Sequence, residues 1–401
     1  MPTQAGVGRV LATVVRDPAF GGHLAGAVVD EQSATSLWSA DANAPLPPAS
    51  TAKLLTATAA LEVLGPDATL STRVLRAGST LFLVGGGDVT LRATAPRRPA
   101  FPTSATVADL ARRTVEALGG ARMLRLCVDT SAWSGPAAAP GWKPTYFSDG
   151  DIAALSPLEV DEGQAPGPHR PHANVPRVPD PAARAGAVYA AALRRLGVPL
   201  QRGSCRATAP SNAATVASVS SPTVADLVQR MLLISDNDLA ESLGRAVAVR
   251  SGGSATFDGE AAAVVAAVRH FGVDVTALHL VDASGLSRLD RVTPAMLVQL
   301  LRLALGDAHP ELRPLVQGLP VAGFSGTLRD RYRGRRSVAA GGVAHAKTGT
   351  LLGVSALAGY VVDSDGRTLV FAFVTDRAVG VDPAEAALDR VVARLAGCGC
   401  T

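Results

Sequence analysis

Ser50 stands three residues before Lys53 in the run Pro48-Ala49-Ser50-Thr51-Ala52-Lys53. A serine hydroxyl is a poor nucleophile until a base takes its proton. Residues three apart share one face of a helix, so the Lys53 amine can reach Ser50 Oγ. Lysine serves as that base only where burial or a neighbouring positive charge lowers its pKa. Arginine cannot do this. Composition sharpens the point, because of 38 Lys and Arg residues only Lys53, Lys143 and Lys347 are lysine. In a chain that otherwise uses arginine for plain positive charge, a retained lysine is a candidate for chemistry.

Two further strings follow in order. Ser235-Asp236-Asn237 ends one helical run and precedes another. From such a short connection Ser235 can relay a proton to a leaving amine, and Asn237 can hydrogen-bond a substrate amide. Lys347-Thr348-Gly349 opens a strand-like run. There Lys347 offers charge to a substrate carboxylate, Thr348 offers a hydroxyl, and Gly349 allows a close backbone approach. The N–H groups of Ser50 and Thr350 are the expected oxyanion hole. Each string alone has a plain structural reading: an accidental spacing, a helix cap or a strand start. Together, at these element boundaries, they form the set used by penicillin-binding proteins and class A β-lactamases.

Other candidates are weaker. Lys143, in Gly141-Trp142-Lys143-Pro144-Thr145-Tyr146, reads either as a residue leaning over the cleft or as a solvated loop lysine. Gly85-Gly86-Gly87-Asp88 lacks the ending of a phosphate loop and reads as a turn. His345 is expected as a solvated neighbour of Lys347. His169 and His172 lie in a Pro-rich linker and read as no metal site.

The elements that must position these groups are legible. Leu24–Asp30 and Ala34–Asp41 flank a polar turn in the pattern of an antiparallel hairpin. Helix formers run from Thr51 to Leu64 and stop at Gly65-Pro66, which puts Ser50 at a helix N-terminus. From about Thr69 the texture changes to strands, a glycine turn, a helix near Val107 and a strand near Cys127. A helix from Ala182, strands near Cys205 and Ala214, and helices after Pro222 and from Asp238 follow. Near the end come strand, strand, an Asp-Ser-Asp-Gly turn, strand, and a helix over Pro383–Leu395. Hairpins at both ends with helices between predict an α+β domain, an antiparallel sheet covered by helices, interrupted by an inserted α/β domain.

The chain has 401 residues, 47% of them hydrophobic, enough for two or three domains. A net charge of +4, aromatics at 4% and no long basic run argue against nucleic-acid binding. No apolar stretch approaches the roughly 20 residues of a membrane span, so peripheral or no membrane contact is expected. Arg9 and Arg16 interrupt the first apolar run, which reads as a short amphipathic helix stopped near Pro18. Of the four cysteines, Cys127 and Cys205 read as free thiols or, in an exported protein, as a bridge. Cys398 and Cys400 can close on each other or pair elsewhere.

Longer strings resemble the D-alanyl-D-alanine carboxypeptidase/endopeptidase family, the low-molecular-mass class C penicillin-binding proteins of actinomycete type. They begin at Ala49, Phe82, Ser235, Val281 and Ala346, and the likeness covers most of residues 20–396. It implies a penicillin-recognising transpeptidase fold, with residues 1–67 and 223–401 forming it and 68–222 inserted as one domain. The long interval from Ser50 to Ser235 agrees, and no Glu-x-x-Leu-Asn string of a class A β-lactamase is present. By motif, Ser284 and Arg288 are implied to line the cleft near the stem peptide's diamino-acid side chain. The implied activity is a serine DD-peptidase acting on peptidoglycan stem peptides and acylated by β-lactams. The alternatives are a β-lactamase and an inactive peptidoglycan-binding protein. No metal or organic cofactor is expected. Peptidoglycan lies outside the cytoplasmic membrane, so the natural protein is expected to be exported to the periplasmic or cell-wall space. Its signal segment is then missing from this sequence.

Overall fold

Capping residues set the element boundaries. In the computed structural model, which describes residues 1–96, 101–120, 123–167 and 175–400, Thr3 caps α1 (Gln4–Leu11) through the Gly6 N–H. The hairpin β1 (Ala25–Asp30) and β2 (Ser36–Ala40) follows. A 3₁₀ turn, Ala49–Ala52, runs straight into α2 (Lys53–Val63). Then come β3 (Thr69–Ala77), β4 (Thr80–Val84), α3 (Val107–Leu118), β5 (Arg125–Asp129) and the single turn α4 (Tyr146–Asp149). Asp180 caps α5 (Pro181–Arg195), with proline at its first position, where the missing N–H costs nothing. β6 (Ala214–Thr223), α6 (Val224–Ile234), α7 (Asn237–Arg250), α8 (Phe257–His270) and the Thr293-capped α9 (Pro294–Leu305) continue the chain. Last are α10 (Arg313–Gln317), β7 (Ala344–Leu351), β8 (Val354–Val362), β9 (Thr368–Thr375) and α11 (Val381–Ala396).

The chain divides into two compact units. One takes Met1–Pro66, Val228–Asp236 and Ala261–Thr401; the other takes Asp67–Leu227 and Asn237–Glu260. α7 therefore belongs with the second unit, whereas Val228–Asp236 before it and the chain from Ala261 onward belong to the first. Polar contacts hold it there: Ala153 N–H donates to Asp238 at 2.7 Å, and Arg245 donates to the Ser134 carbonyl at 3.0 Å.

The first unit is built on an antiparallel sheet in the order β2-β1-β9-β8-β7. Its β9 reads Thr-Leu-Val-Phe-Ala-Phe-Val-Thr, a nearly continuous apolar run, because both faces are covered. Leu369, Phe371 and Phe373 pack with Leu388, Val391 and Val392 of α11 and with Val7 and Leu11 of α1. Val370, Ala372 and Val374 point to the opposite face and are equally buried. Chain ends meet on this unit, where Thr3 N–H donates to the Cys400 carbonyl at 2.8 Å. Asp30 and Arg367 tie the two hairpin turns together at 2.7 Å. Strand β7 is left at the sheet's edge.

The second unit has a mixed sheet, β5-β4-β3-β6, in which only β4 and β5 run parallel. Helices α3 and α5 supply Leu110, Ala185, Tyr189 and Leu193 to its core. Cys127 of β5 is bonded to Cys205, and the Cys398 and Cys400 sulfurs face each other in the first unit. No strand forms at Cys205; Val128 and Arg206 make an isolated bridge. The glycine string after β4 is irregular backbone with a bend at Gly87 rather than a turn: the Gly85 and Gly87 N–H groups donate to the Asp129 and Pro157 carbonyls, and Gly86 leaves room for the Ser71 carbonyl, which a Cβ would meet at 2.1 Å. His169 and His172 lie outside the described residues.

Candidate active site

Helix α2 delivers the first pair. Ser50 sits in the 3₁₀ turn before it, half-buried, and Lys53 is its first residue, fully buried. Lys53 Nζ donates to Ser50 Oγ at 3.0 Å and to the Ser284 carbonyl at 2.7 Å. The i, i+3 spacing thus does what elementary helix geometry predicts.

The second pair joins α6's end to β7. Lys347 is also fully buried, and its Nζ donates to Ser235 Oγ and to the Thr348 carbonyl, both at 2.9 Å. Burial, and then the neighbouring Lys53 charge, hold the Lys347 amine well below the usual lysine range. Ser235 adopts φ +60°, a left-handed conformation that costs a non-glycine residue about 1–3 kcal/mol. The turn is fixed from both sides. Asp236 N–H donates to the Met231 carbonyl at 3.1 Å, and the Asp236 carboxylate meets Arg230 at 3.2 Å.

The outer edge of β7 pairs with Pro320–Ala322 over Ala344–Ala346, and from Thr348 onward no strand among the described residues pairs with it. Ala346 N–H donates to the Pro320 carbonyl at 3.0 Å, away from β8. Strand geometry repeats every second residue, so the N–H groups of Thr348 and Thr350 face the same outer edge. The Thr348 hydroxyl lies 2.8 Å from that of Thr327, and the Thr350 hydroxyl donates to Glu385 at 3.0 Å. Gly349 has a packing reason that its string alone hides: a Cβ there would come within 2.8 Å of the Pro48 carbonyl. Its bare Cα lets β7 lie against the turn that carries Ser50.

The Asp282–Ser287 loop closes the back of the site. Asp282 accepts from the N–H groups of Gly285 and Ser287, each at 2.7 Å, and Thr56 donates to the Ala283 carbonyl at 2.6 Å. This winding aims the Ser284 carbonyl at Lys53. Ser284 is fully buried, and its carbonyl accepts from Lys53. Arg288 is exposed and donates to the Leu352 carbonyl in the β7–β8 turn. Gly285, at φ +80°, stands where a Cβ would meet the Ala49 carbonyl at 2.0 Å.

The other expected residues have contacts of their own. His345 is not a solvated neighbour: it is half-buried and stacked on Tyr360 at 4.8 Å, and burial lowers its pKa. Asn237 opens α7 in the second unit, where its Nδ2 donates to the Asp151 carbonyl at 2.8 Å. Lys143 belongs to that unit too, in the turn whose carbonyl accepts from Tyr146 N–H. Sequence reasoning missed Thr327 and Asp282. An acid two residues before a Ser-Gly pair was a usable signal for Asp282; nothing local marks Thr327.

This arrangement places two serine hydroxyls, each on a buried lysine amine, beside a strand edge that can pair with an extended peptide. Residues 8–174 and 163–396 match the D-Ala-D-Ala carboxypeptidase 3 (S13) family. The chain is 39% identical over 408 residues to carboxypeptidase DacB of Mycolicibacterium smegmatis, covering 100% of this chain and 85% of that one. It is 31% identical over 464 residues to a D-alanyl-D-alanine carboxypeptidase of an Actinomadura species, covering 96% and 83%. Among solved structures, penicillin binding protein 4 of Haemophilus influenzae superposes with a TM-score of 0.78 at 21% identity, covering 98% of each chain. That likeness gives the first unit its fold class, the penicillin-recognising transpeptidase type.

Proposed function

The chain belongs to the D-Ala-D-Ala carboxypeptidase 3 (S13) family, and from that premise we propose that it is a serine DD-peptidase cleaving the terminal D-Ala-D-Ala bond of peptidoglycan stem peptides. Lys53 takes the proton of Ser50 Oγ, which attacks the carbonyl of the penultimate D-alanine. Negative charge on that oxygen is met by the N–H groups of Ser50 and Thr350. The peptide C–N bond then breaks, and Ser235 passes a proton to the departing D-alanine amine. Water hydrolyses the resulting ester and frees Ser50.

Substrate alignment falls to β7. An extended peptide adds to its outer edge from Thr348 onward through main-chain hydrogen bonds, and Lys347, once protonated, faces the terminal carboxylate with the Thr348 hydroxyl beside it. Asn237 is assigned the substrate amide by its place in the Ser-Asp-Asn string. Ser284 and Arg288 act as positioning residues, one through its carbonyl on Lys53 and the other on the β7–β8 turn. Cross-link cleavage uses the same steps with a longer leaving group. The substrate lies outside the cytoplasmic membrane, so the working protein is exported. Among the described residues, no helix is long and apolar enough to cross a membrane.

The observation that carries this reading is the Lys53–Ser50 contact of 3.0 Å made by a fully buried lysine. Intact mass after short and long exposure to benzylpenicillin tests it. A lasting single adduct on the wild type, absent from Ser50→Ala, is expected. An adduct that disappears while the drug is consumed would make the protein a β-lactamase. No adduct at all would leave a binding protein that has kept the fold.

A further inference from the structure

The segment Gly323–Val343, which leads into β7, holds five arginines and one aspartate. Its formal charge therefore equals the +4 of the entire chain, and the remaining residues sum to zero. One arginine serves the fold: Arg331 is largely buried and donates to Asp389 at 2.6 Å and to the Glu385 carbonyl at 3.1 Å, docking the segment on α11. Arg329, Arg333, Arg335 and Arg336 are exposed. Arg333 shares the one aspartate, Asp330, at 2.6 Å. Arg335 and Arg336 border a surface hollow together with Arg390 and Arg394.

Apolar side chains stand out of the same segment. Phe324 is 70% exposed, Val338 57% and Val343 37%. The Phe324 ring lies over Gly342, the residue before Val343, where a Cβ would sit 3.3 Å from it. An aromatic ring and two valines thus stand in water in the same segment as the exposed arginines, of which Arg335 and Arg336 also share a hollow with Asp330, Asp382, Glu385 and Asp389.

We propose that this segment is a docking surface for an anionic phospholipid bilayer, with the exposed arginines on headgroup phosphates and Phe324, Val338 and Val343 in the interfacial layer. Headgroup phosphates attract each arginine near the surface, roughly fivefold in binding per residue, and the apolar groups add burial that neutral contacts with water do not give. A dissolved polyanion would satisfy the arginines and leave the three apolar side chains without a role, which is why the bilayer is the occupant. Thr327 of this segment meets the Thr348 hydroxyl, but the proposed contacts are made by the exposed arginines and apolar side chains, and the inference does not rest on the peptidase reading.

Sedimentation of the full chain with vesicles tests it without any activity readout. Vesicles of phosphatidylcholine with phosphatidylglycerol should bind the protein, pure phosphatidylcholine should not, and added salt should weaken binding. Arg335→Gln with Arg336→Gln should lose roughly twenty-fold in vesicle affinity. Phe324→Ser with Val338→Ser should lose several-fold, while thermal unfolding of both variants stays as in the wild type. Three results would overturn the proposal: no binding to either vesicle, equal binding to both, or loss in the arginine variant alone. The last would make the patch a site for soluble polyanions.

Discussion

Lys53 and Lys347 are two amines removed from water and placed near enough for one to depress the other. Their roles separate by what each one touches. Lys53 must accept a proton, so Lys53→Arg, which keeps the charge but cannot deprotonate, should slow benzylpenicillin acylation by about 10²–10⁴-fold. Stopped-flow acylation with a thermal melt alongside checks this, and acylation near the wild-type rate would remove Lys53 as the base. Lys347 must instead be charged to meet a carboxylate. Its folded pKa is lowered, so its charge is lost as pH rises through a range below the usual lysine value. KM for a D-Ala-D-Ala peptide should therefore rise with pH well before pH ~10, where an ordinary lysine would begin to titrate. A KM that stays flat to that point would show that bound carboxylate does not depend on Lys347.

At the scale of elements, three pieces of backbone meet on one turn. The nucleophile's turn is pressed by β7 through Gly349 and by the Asp282 loop through Gly285. Gly349→Ala puts a Cβ 2.8 Å from the Pro48 carbonyl, and Gly285→Ala puts one 2.0 Å from the Ala49 carbonyl at a left-handed φ of +80°. Both contacts are with backbone, which cannot rotate away. Each change should cost about 1–3 kcal/mol of stability, with Gly285→Ala the larger. Acylation by benzylpenicillin should slow in the protein that remains folded. Urea unfolding followed by acylation kinetics on the same samples would decide, and a fully active Gly285→Ala would show that the turn has slack. Gly349 was legible as a glycine with a purpose, but the reason read from its string was substrate approach; the packing against Pro48 depends on a partner 301 positions away in sequence and so left no local trace.

The whole molecule consists of two units whose chemistry is unequally shared: Ser50, Lys53, Ser235 and Lys347 all fall in the first. The Cys127–Cys205 bond lies in the second and spans 78 residues. By the chain-entropy relation, closing a loop of that length is worth about 4.5 kcal/mol through the unfolded chain. Cys127→Ala with Cys205→Ala should therefore lower the stability of the second unit by that amount. Trp133 and Trp142 report on that unit and Trp38 on the first, so a Trp38→Phe background isolates its unfolding by fluorescence. The Ser50 adduct should still form. Unchanged urea midpoints would mean that the bond constrains little.

By itself the sequence determined the chemistry and the local geometry. Serine, lysine and their three-residue spacing fix which amine meets which hydroxyl, because a helix turn is a local object. The β1–β2 and β8–β9 hairpins follow from their turn residues for the same reason. Only the tertiary structure decided that the Ser284 carbonyl accepts from Lys53, that His345 stacks on Tyr360, that Thr327 meets Thr348, and that α7 joins the second unit. Each of these depends on surfaces brought together from distant parts of the chain. Residue type restricts such contacts without naming the partner, since packing selects among many side chains of similar shape.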